Sequence, residues 1–248
     1  MRRACWLCSL CLLLCAPAFA DQMPGLVGAW LERGLTAGTN ANGWCSPGAR
    51  IVGGIVQSNG VLLSGAGFVT IGSNRNTLAG SPEMTASIWF QTTNSLSGIR
   101  YLFTEVREGL NKSFLLGIQP PDIVYAYVYN GAQTNLATVS LPIAARNMTD
   151  LKWHHMAMTW SGGSNVLVYK DGIQYVPALS RTSTLMSAMG SPSNADLRIG
   201  SDTANNFGAQ CWIGYLSQAA LYRRALTSNE VASMYRTRRP DTDLPRAQ

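Results

Sequence analysis

The sequence predicts an all-β protein, an antiparallel sandwich with one short helix near its C-terminal end. Three observations predict it. Short runs of Val, Ile, Leu, Tyr, Phe and Trp recur between clusters of Gly, Asn and Ser, the pattern of many strands joined by turns. The composition holds 24 Gly, 46% hydrophobic residues and only 13% charged ones, which suits a core-rich β protein rather than a helical or disordered chain. One stretch alone carries helix signals: Thr227, with Glu230 three residues on, forms a capping box ahead of Val231, Met234 and Tyr235, and Pro240 stops it.

Taken in order, strands are expected near 26–31, 50–56, 67–71, 85–92, 100–105, 113–118, 123–129 and 134–140. They continue at 153–160, 165–170, 173–177, 196–200 and 212–222, followed by the helix. The Asp171-Gly172 pair predicts a tight hairpin turn between two of them. In IVYAYVYNG at 123–131, Tyr125, Tyr127 and Tyr129 alternate with Val124, Ala126 and Val128. A strand points successive side chains to opposite faces, so three phenols share one face and three aliphatic groups the other. The aliphatic face belongs against the core and the tyrosines on an outer, concave surface.

The N-terminus reads as a secretory signal over residues 1–20. Arg2 and Arg3 precede an apolar run from Ala4 to Cys15, and small residues at Ala18 and Ala20 suit cleavage before Asp21. The run is too short to span a bilayer, and nothing later in the chain is long enough, so a secreted, periplasmic or extracellular protein without a transmembrane segment is expected. LLLC at 12–15 is a poor lipoprotein box, because Leu14 stands where a small residue is needed. Cleavage removes four of the six cysteines and leaves Cys45 and Cys211, which an oxidising compartment would join. The formal charge of +6 falls to +4 without the two signal arginines, 17 basic against 13 acidic residues. Several of the positive charges lie near the C-terminus, where residues 239–248 read as a flexible basic tail. No basic stripe with interleaved aromatics occurs elsewhere, which excludes a nucleic-acid surface. Residues 21–238 are read as one domain.

Two segments resemble a known family. WHHMAMTWSGGSNVLVYKDGIQYVP at 153–177 and GYLSQAALYRRALTSNEVASMY at 214–235 are similar to the last third of the laminin-G-like jelly roll, in the concanavalin A-like lectin and glucanase superfamily. The closing match is the most specific, with Gly214, Leu216, Leu221, Tyr222, Arg224, Ala225, Leu226, Thr227 and Glu230 in the family's order. LVGAWL at 26–31, GFVTIGSNRNTLAGSPEMTASIWFQT at 67–92 and LRIGS at 197–201 resemble earlier strands, so the likeness covers about 24–237. It implies a two-sheet antiparallel jelly-roll sandwich. Function follows less directly, because one fold hosts many activities.

Candidate chemistry is sparse. His154 and His155 are the only histidines; as neighbours on a strand they face opposite ways and cannot share one metal, and within the family W-H-H is a structural signature. The paired carboxylates of the superfamily's retaining glucanases are absent. Glu105 and Glu108 are the nearest approach, and they read as solvated or salt-bridged groups. No cofactor is expected. Calcium, which laminin-G-like relatives commonly bind, would have Asp202, Asn205 and Gln210 as its weak candidates, and with Asn206 they read instead as a polar loop braced by Cys211. Asn111-Lys112-Ser113 and Asn147-Met148-Thr149 fit the glycosylation sequon. Tyr125, Tyr127 and Tyr129, with Asn205 and Asn206, are the expected ligand surface, since aromatic rings with a polar tip suit sugars. The functional expectation is an exported module that binds a glycan or an extracellular protein and performs no chemistry. A polysaccharide-cleaving enzyme with an atypical site is the alternative, and an envelope or adhesion component a further one. Sequence alone assigns no oligomeric state.

Overall fold

The computed structural model describes residues 23–31, 49–57, 59–72, 77–93, 96–106, 112–129, 137–175, 178–179, 186–190, 195–202, 210–237 and 240. The expected signal segment, Cys45, Glu108, Asn111, Asn205, Asn206 and nearly all of the basic tail lie outside the described residues. Among the described residues, fourteen strands are formed. They are β1 Leu26–Trp30, β2 Ala49–Gln57, β3 Gly60–Ile71, β4 Glu83–Thr92, β5 Arg100–Val106, β6 Lys112–Gln119 and β7 Ile123–Val128. The chain continues with β8 Ala137–Ser140, β9 His154–Ser161, β10 Leu167–Lys170, β11 Ile173–Tyr175, β12 Ala178–Leu179, β13 Asp196–Ile199 and β14 Ile213–Tyr222, then helix α1 Ser228–Thr237.

All strand pairings are antiparallel, in the order β11-β10-β9-β4-β14-β3-β13-β5-β6-β7-β8-β12, with β1 added to β14 and β2 to β3. The expectation of an antiparallel all-β fold with one short helix therefore holds. Its finer form, two separate sheets, is not what the hydrogen bonds draw, because they run through one continuous path. The sequence reading also began β3 too late. Residues 60–66, GVLLSGA, include four small residues, Gly60, Ser64, Gly65 and Ala66, yet the backbone of 61–63 pairs with both β2 and β14.

One apolar core takes side chains from both ends of this path. Val124, Ala126 and Val128 of β7 belong to the same cluster as Ile88 of β4 and Met156 and Met158 of β9. Aromatic rings fill its centre in edge-to-face contacts, Trp30 on Phe103 at 5.9 Å, Phe103 on Phe114 at 5.4 Å and Phe90 on Trp212 at 5.4 Å. A second cluster lies under α1. The helix buries Val231 and Met234 against Ala157, Tyr169, Ala220 and Tyr222, the other faces of β9, β10 and β14.

The helix start has the expected capping box. Thr227 N–H donates to Glu230 Oε2 at 2.8 Å, and Glu230 N–H donates to Thr227 Oγ1 at 3.3 Å. Arg224 adds a two-pronged bond to the same carboxylate, at 2.9 and 2.6 Å. That guanidinium, with the Thr227 bonds, overrides partial burial and holds the Glu230 carboxyl at about 2. Among the described residues, no helix is long and apolar enough to cross a membrane.

Candidate functional site

The alternation read in β7 is observed. Val124, Ala126 and Val128 are fully buried in the main core, while Tyr125 and Tyr127 stand half-buried on the opposite face with Tyr129. Successive rings meet edge to face, with centroids 5.8 Å apart from Tyr125 to Tyr127 and again from Tyr127 to Tyr129. A fourth ring, Tyr101 of β5, completes the cluster over Leu115. It fits because Gly117 of β6 stands opposite both Tyr101 and Tyr125, and a side chain there would come within 3.0 Å of the Tyr101 ring. Sequence reasoning missed Tyr101; its signal is the register that places it across Gly117, which pattern alone does not give.

The two described ends of the expected polar loop, Asp202 and Gln210, border this face. Tyr101 N–H donates to the Gln210 carbonyl at 3.1 Å, and Arg100 Nη1 donates to the Cys211 carbonyl at 3.1 Å. Asp202, buried at 6% exposure, is close enough to act on both Tyr101 and Tyr129. Burial first, and then Asp202 and the neighbouring phenols, push both hydroxyls well above the usual tyrosine range. These phenols stay protonated at any physiological pH. A protonated phenol keeps its hydroxyl proton to donate. Tyr125 already donates to Gln119 Oε1 at 2.8 Å. Cys211 is buried, with its Sγ 3.5 Å from Ser201 Oγ.

Glu105 is neither solvated nor salt-bridged, contrary to the expectation. It is fully buried in β5 and accepts from Thr77 N–H at 2.7 Å and from the Thr77 hydroxyl. Its strand register puts it opposite Phe114 and Leu197, both core residues, so the chain points inward.

The two histidines do face opposite ways. His155 turns toward α1, with Nε2 2.8 Å from Ser87 Oγ and its ring 5.3 Å from Trp89, which stacks on Tyr235. His154 instead sits at the rim of the core, between two carboxylates that the sequence reading did not connect. Its Nδ1 lies 2.8 Å from Asp171 Oδ2 and its Nε2 lies 2.9 Å from Asp150 Oδ1. Asp171 is delivered by the predicted Asp171-Gly172 turn, whose φ values of 52° and 77° fit a two-residue hairpin of the primed type. Asp171 also accepts from Lys170 Nζ at 2.8 Å and His155 N–H at 2.9 Å. Burial pushes the Asp171 carboxyl up, but His154, Lys170 and the His155 amide outweigh it and hold it at about 2. Asp150 is lowered for a similar reason, the His154 bond overcoming desolvation.

These groups line a cleft of about 630 Å³. Its wall includes Leu151, which is 55% exposed with φ at 64°, a conformation that non-glycine residues rarely adopt, while its carbonyl accepts from Gln91 at 2.5 Å. Both carboxyls are held below the usual carboxylate range, which disfavours either as the protonated acid of a paired-carboxylate glycosidase. Among the described residues, no group of three or more metal-ligating side chains is arranged to hold a metal ion.

A family model described as the concanavalin A-like lectin/glucanases superfamily matches residues 63–232. The chain belongs to the concanavalin A-like lectin/glucanases superfamily. A search of curated proteins finds no match. Among solved structures, the superfamily chain is similar to a Trypanosoma rangeli sialidase in complex with sialic acid, at 16% identity and a TM-score of 0.59. That match covers 86% of this chain and 33% of the sialidase, so the chain spans about a third of that protein's length. A mutant of HCR D/C VPI 5995 matches at 14% identity and a TM-score of 0.60, over 88% of this chain and 53% of the other. Domain 4 of AbnA, a GH43 extracellular arabinanase from Geobacillus stearothermophilus in complex with arabinotriose, matches at 14% identity and a TM-score of 0.46, covering 84% and 87%.

These findings correct the functional expectation of a binding module that performs no chemistry. The superfamily groups lectins with glucanases, and its fold is shared here with a sialidase. Membership therefore gives no ground for excluding catalysis, and the polysaccharide-cleaving alternative is the better supported reading.

Proposed function

We propose that the protein acts on a polysaccharide, held on the tyrosine face and cleaved at a site unlike the superfamily's paired carboxylates. The observation that carries the reading is the ladder of Tyr125, Tyr127 and Tyr129, joined by Tyr101 and bordered by Asp202 and Gln210. Tyr125 and Tyr127, half-buried, offer ring faces and hydroxyls together, which suits sugar rings, and the buried Tyr101 and Tyr129 back them. Asp202 is the carboxylate of that face and takes the proton-transfer role in this reading. The sialidase similarity supports sugar chemistry on this fold, and the family match supports a jelly-roll core between two layers. Export through the signal over residues 1–20, and a bridge between Cys45 and Cys211, belong to the same reading.

The test is a polysaccharide panel read in parallel for binding and for new reducing ends. Tyr127→Ala is expected to weaken binding about tenfold, a loss of roughly 1.4 kcal/mol. Asp202→Asn is expected to keep binding and lose product. Turnover that persists unchanged in Asp202→Asn, or no product from any polysaccharide bound, would overturn the assignment.

A further inference from the structure

We infer that the cleft around His154 is a second carbohydrate site, which takes a neutral oligosaccharide of two or three sugar units and shares no residue with the tyrosine face. It rests on the carbohydrate reading above for its ligand class and on its own geometry for its place and preference.

The volume, about 630 Å³, falls within the range of small-molecule sites. Its walls mix what a sugar needs. A hydroxyl both donates and accepts, so its partners must include both kinds. Asp150 supplies acceptors: its Oδ1 faces His154, while Lys152 Nζ stands 3.7 Å from Oδ2, beyond hydrogen-bond length, and leaves that oxygen with acceptor capacity. Lys152, 78% exposed in its side chain, and the amides of Gln91 and Asn147 supply donors at the mouth. Trp153 and Tyr235, both half-buried, add apolar ring surface beside these polar groups.

The charges decide the preference. Asp150 is matched by Lys152 and Asp171 by Lys170, with His154 between the two carboxylates. These four charges cancel, so the wall presents no cluster of cations built to hold an acidic sugar, and the open Asp150 Oδ2 would repel a carboxylate brought against it. The site is also held in shape before any ligand arrives. The Asp150–His154–Asp171 chain ties the 150–153 segment to the β10–β11 turn, and the Gln91 bond to the Leu151 carbonyl ties the same segment to β4. A prearranged polar wall loses little freedom on binding, which favours recognition of a small, flexible sugar. The tyrosine face lies elsewhere on the sheet, on β5 and β7, with β13, β3 and β14 between β5 and the β4 strand of the cleft.

The experiment is amide and indole NMR on the full protein, titrated separately with cellotriose, xylotriose, maltotriose and, as the anionic control, trigalacturonate. At least one neutral trisaccharide is expected to shift the Trp153 indole and the Gln91 and Asn147 side-chain amides with saturation, and trigalacturonate to bind at least tenfold more weakly. Trp153→Ala should raise Kd tenfold or more. Lys152→Ala, at an exposed position that does not threaten folding, should raise it several-fold. Tyr127→Ala should leave cleft binding within twofold while it weakens the polysaccharide, so failure of the tyrosine-face reading is seen separately. The inference is overturned if no neutral trisaccharide perturbs the cleft, if trigalacturonate binds there as well or better, or if Tyr127→Ala removes the cleft shifts.

Discussion

Single residues separate binding from folding in this molecule. Tyr127 is half-buried in a small outer cluster, so its loss should cost the fold only about 1 kcal/mol, less than the roughly 3–5 kcal/mol of a ring taken from the main core. Tyr127→Ala melting within a few degrees of the parent, together with weakened polysaccharide binding, is the expected pair of results; a collapse in stability would make the ring a core residue. Glu105 behaves in the opposite sense. Replacing it with Ala would remove the acceptor of the part-buried Thr77 amide, at a cost of about 1 kcal/mol, and denaturant unfolding measures this directly. At this scale the sequence showed part of the picture. The period of two in β7 is local and was legible, as was the opposed facing of His154 and His155. What brings Tyr101 beside Tyr125, or Asp150 and Asp171 to one imidazole, is cross-strand register and a turn from another hairpin. Neither is written in the spacing of residues along one strand. Glu105 was misread because a carboxylate is seldom fully buried, and the Thr77 partner that allows it lies 28 positions away.

Among the elements, α1 was the most legible and β3 the least. A capping box is a local device with fixed spacing, and the structure forms both of its bonds. Thr227→Ala should therefore cost about 1 kcal/mol. A melting curve that does not move would mean that the Arg224 grip on Glu230 holds the helix start without the cap. The helix matters to the cleft as well, because it carries Tyr235 to the wall. β3 escaped because glycines bracket its first half, Gly60 and Gly65 around Val61–Ser64, and pairing on both edges makes it a strand. Gly60 and Gly214 show the reason for the glycines. Both have positive φ, at 153° and 132°, and a side chain on either would run into a neighbouring strand's carbonyl, Leu216 or Gln91. Those glycines buy close strand approach, and a pattern search for β-branched runs passes over them.

For the whole molecule, the depressed carboxyls limit stability on the acid side, Asp150 beside His154 as well as Asp171 and Glu230. Asp171 and Glu230 both have folded values near 2, below their ordinary values of 3.8 and 4.5. Groups lowered on folding stabilise above the unfolded value and lose that contribution as pH falls through the folded one. Stability should thus be level down to about pH 5 and fall between there and about pH 2, with Asp171 accounting for about 2 kcal/mol. Asp171→Asn should flatten part of that fall in a pH series of denaturant midpoints, and an unchanged slope would refute the role given to the His154 pair. Unreduced peptide mapping of exported protein should find Cys45 joined to Cys211; two free thiols would refute the bridge. The strand path has one more consequence. Among the described strands β2 pairs only with β3, which leaves nine residues, Ala49–Gln57, along an edge open to extension by another copy, with Ile55 62% exposed upon it. The register slips between Val52 and Gly54, and Gly53 turns to a φ of 66° there. That kink divides the edge into two short halves that cannot both align with a straight incoming strand, so the molecule is guarded against stacking on itself into aggregates at the place where it is most open to it.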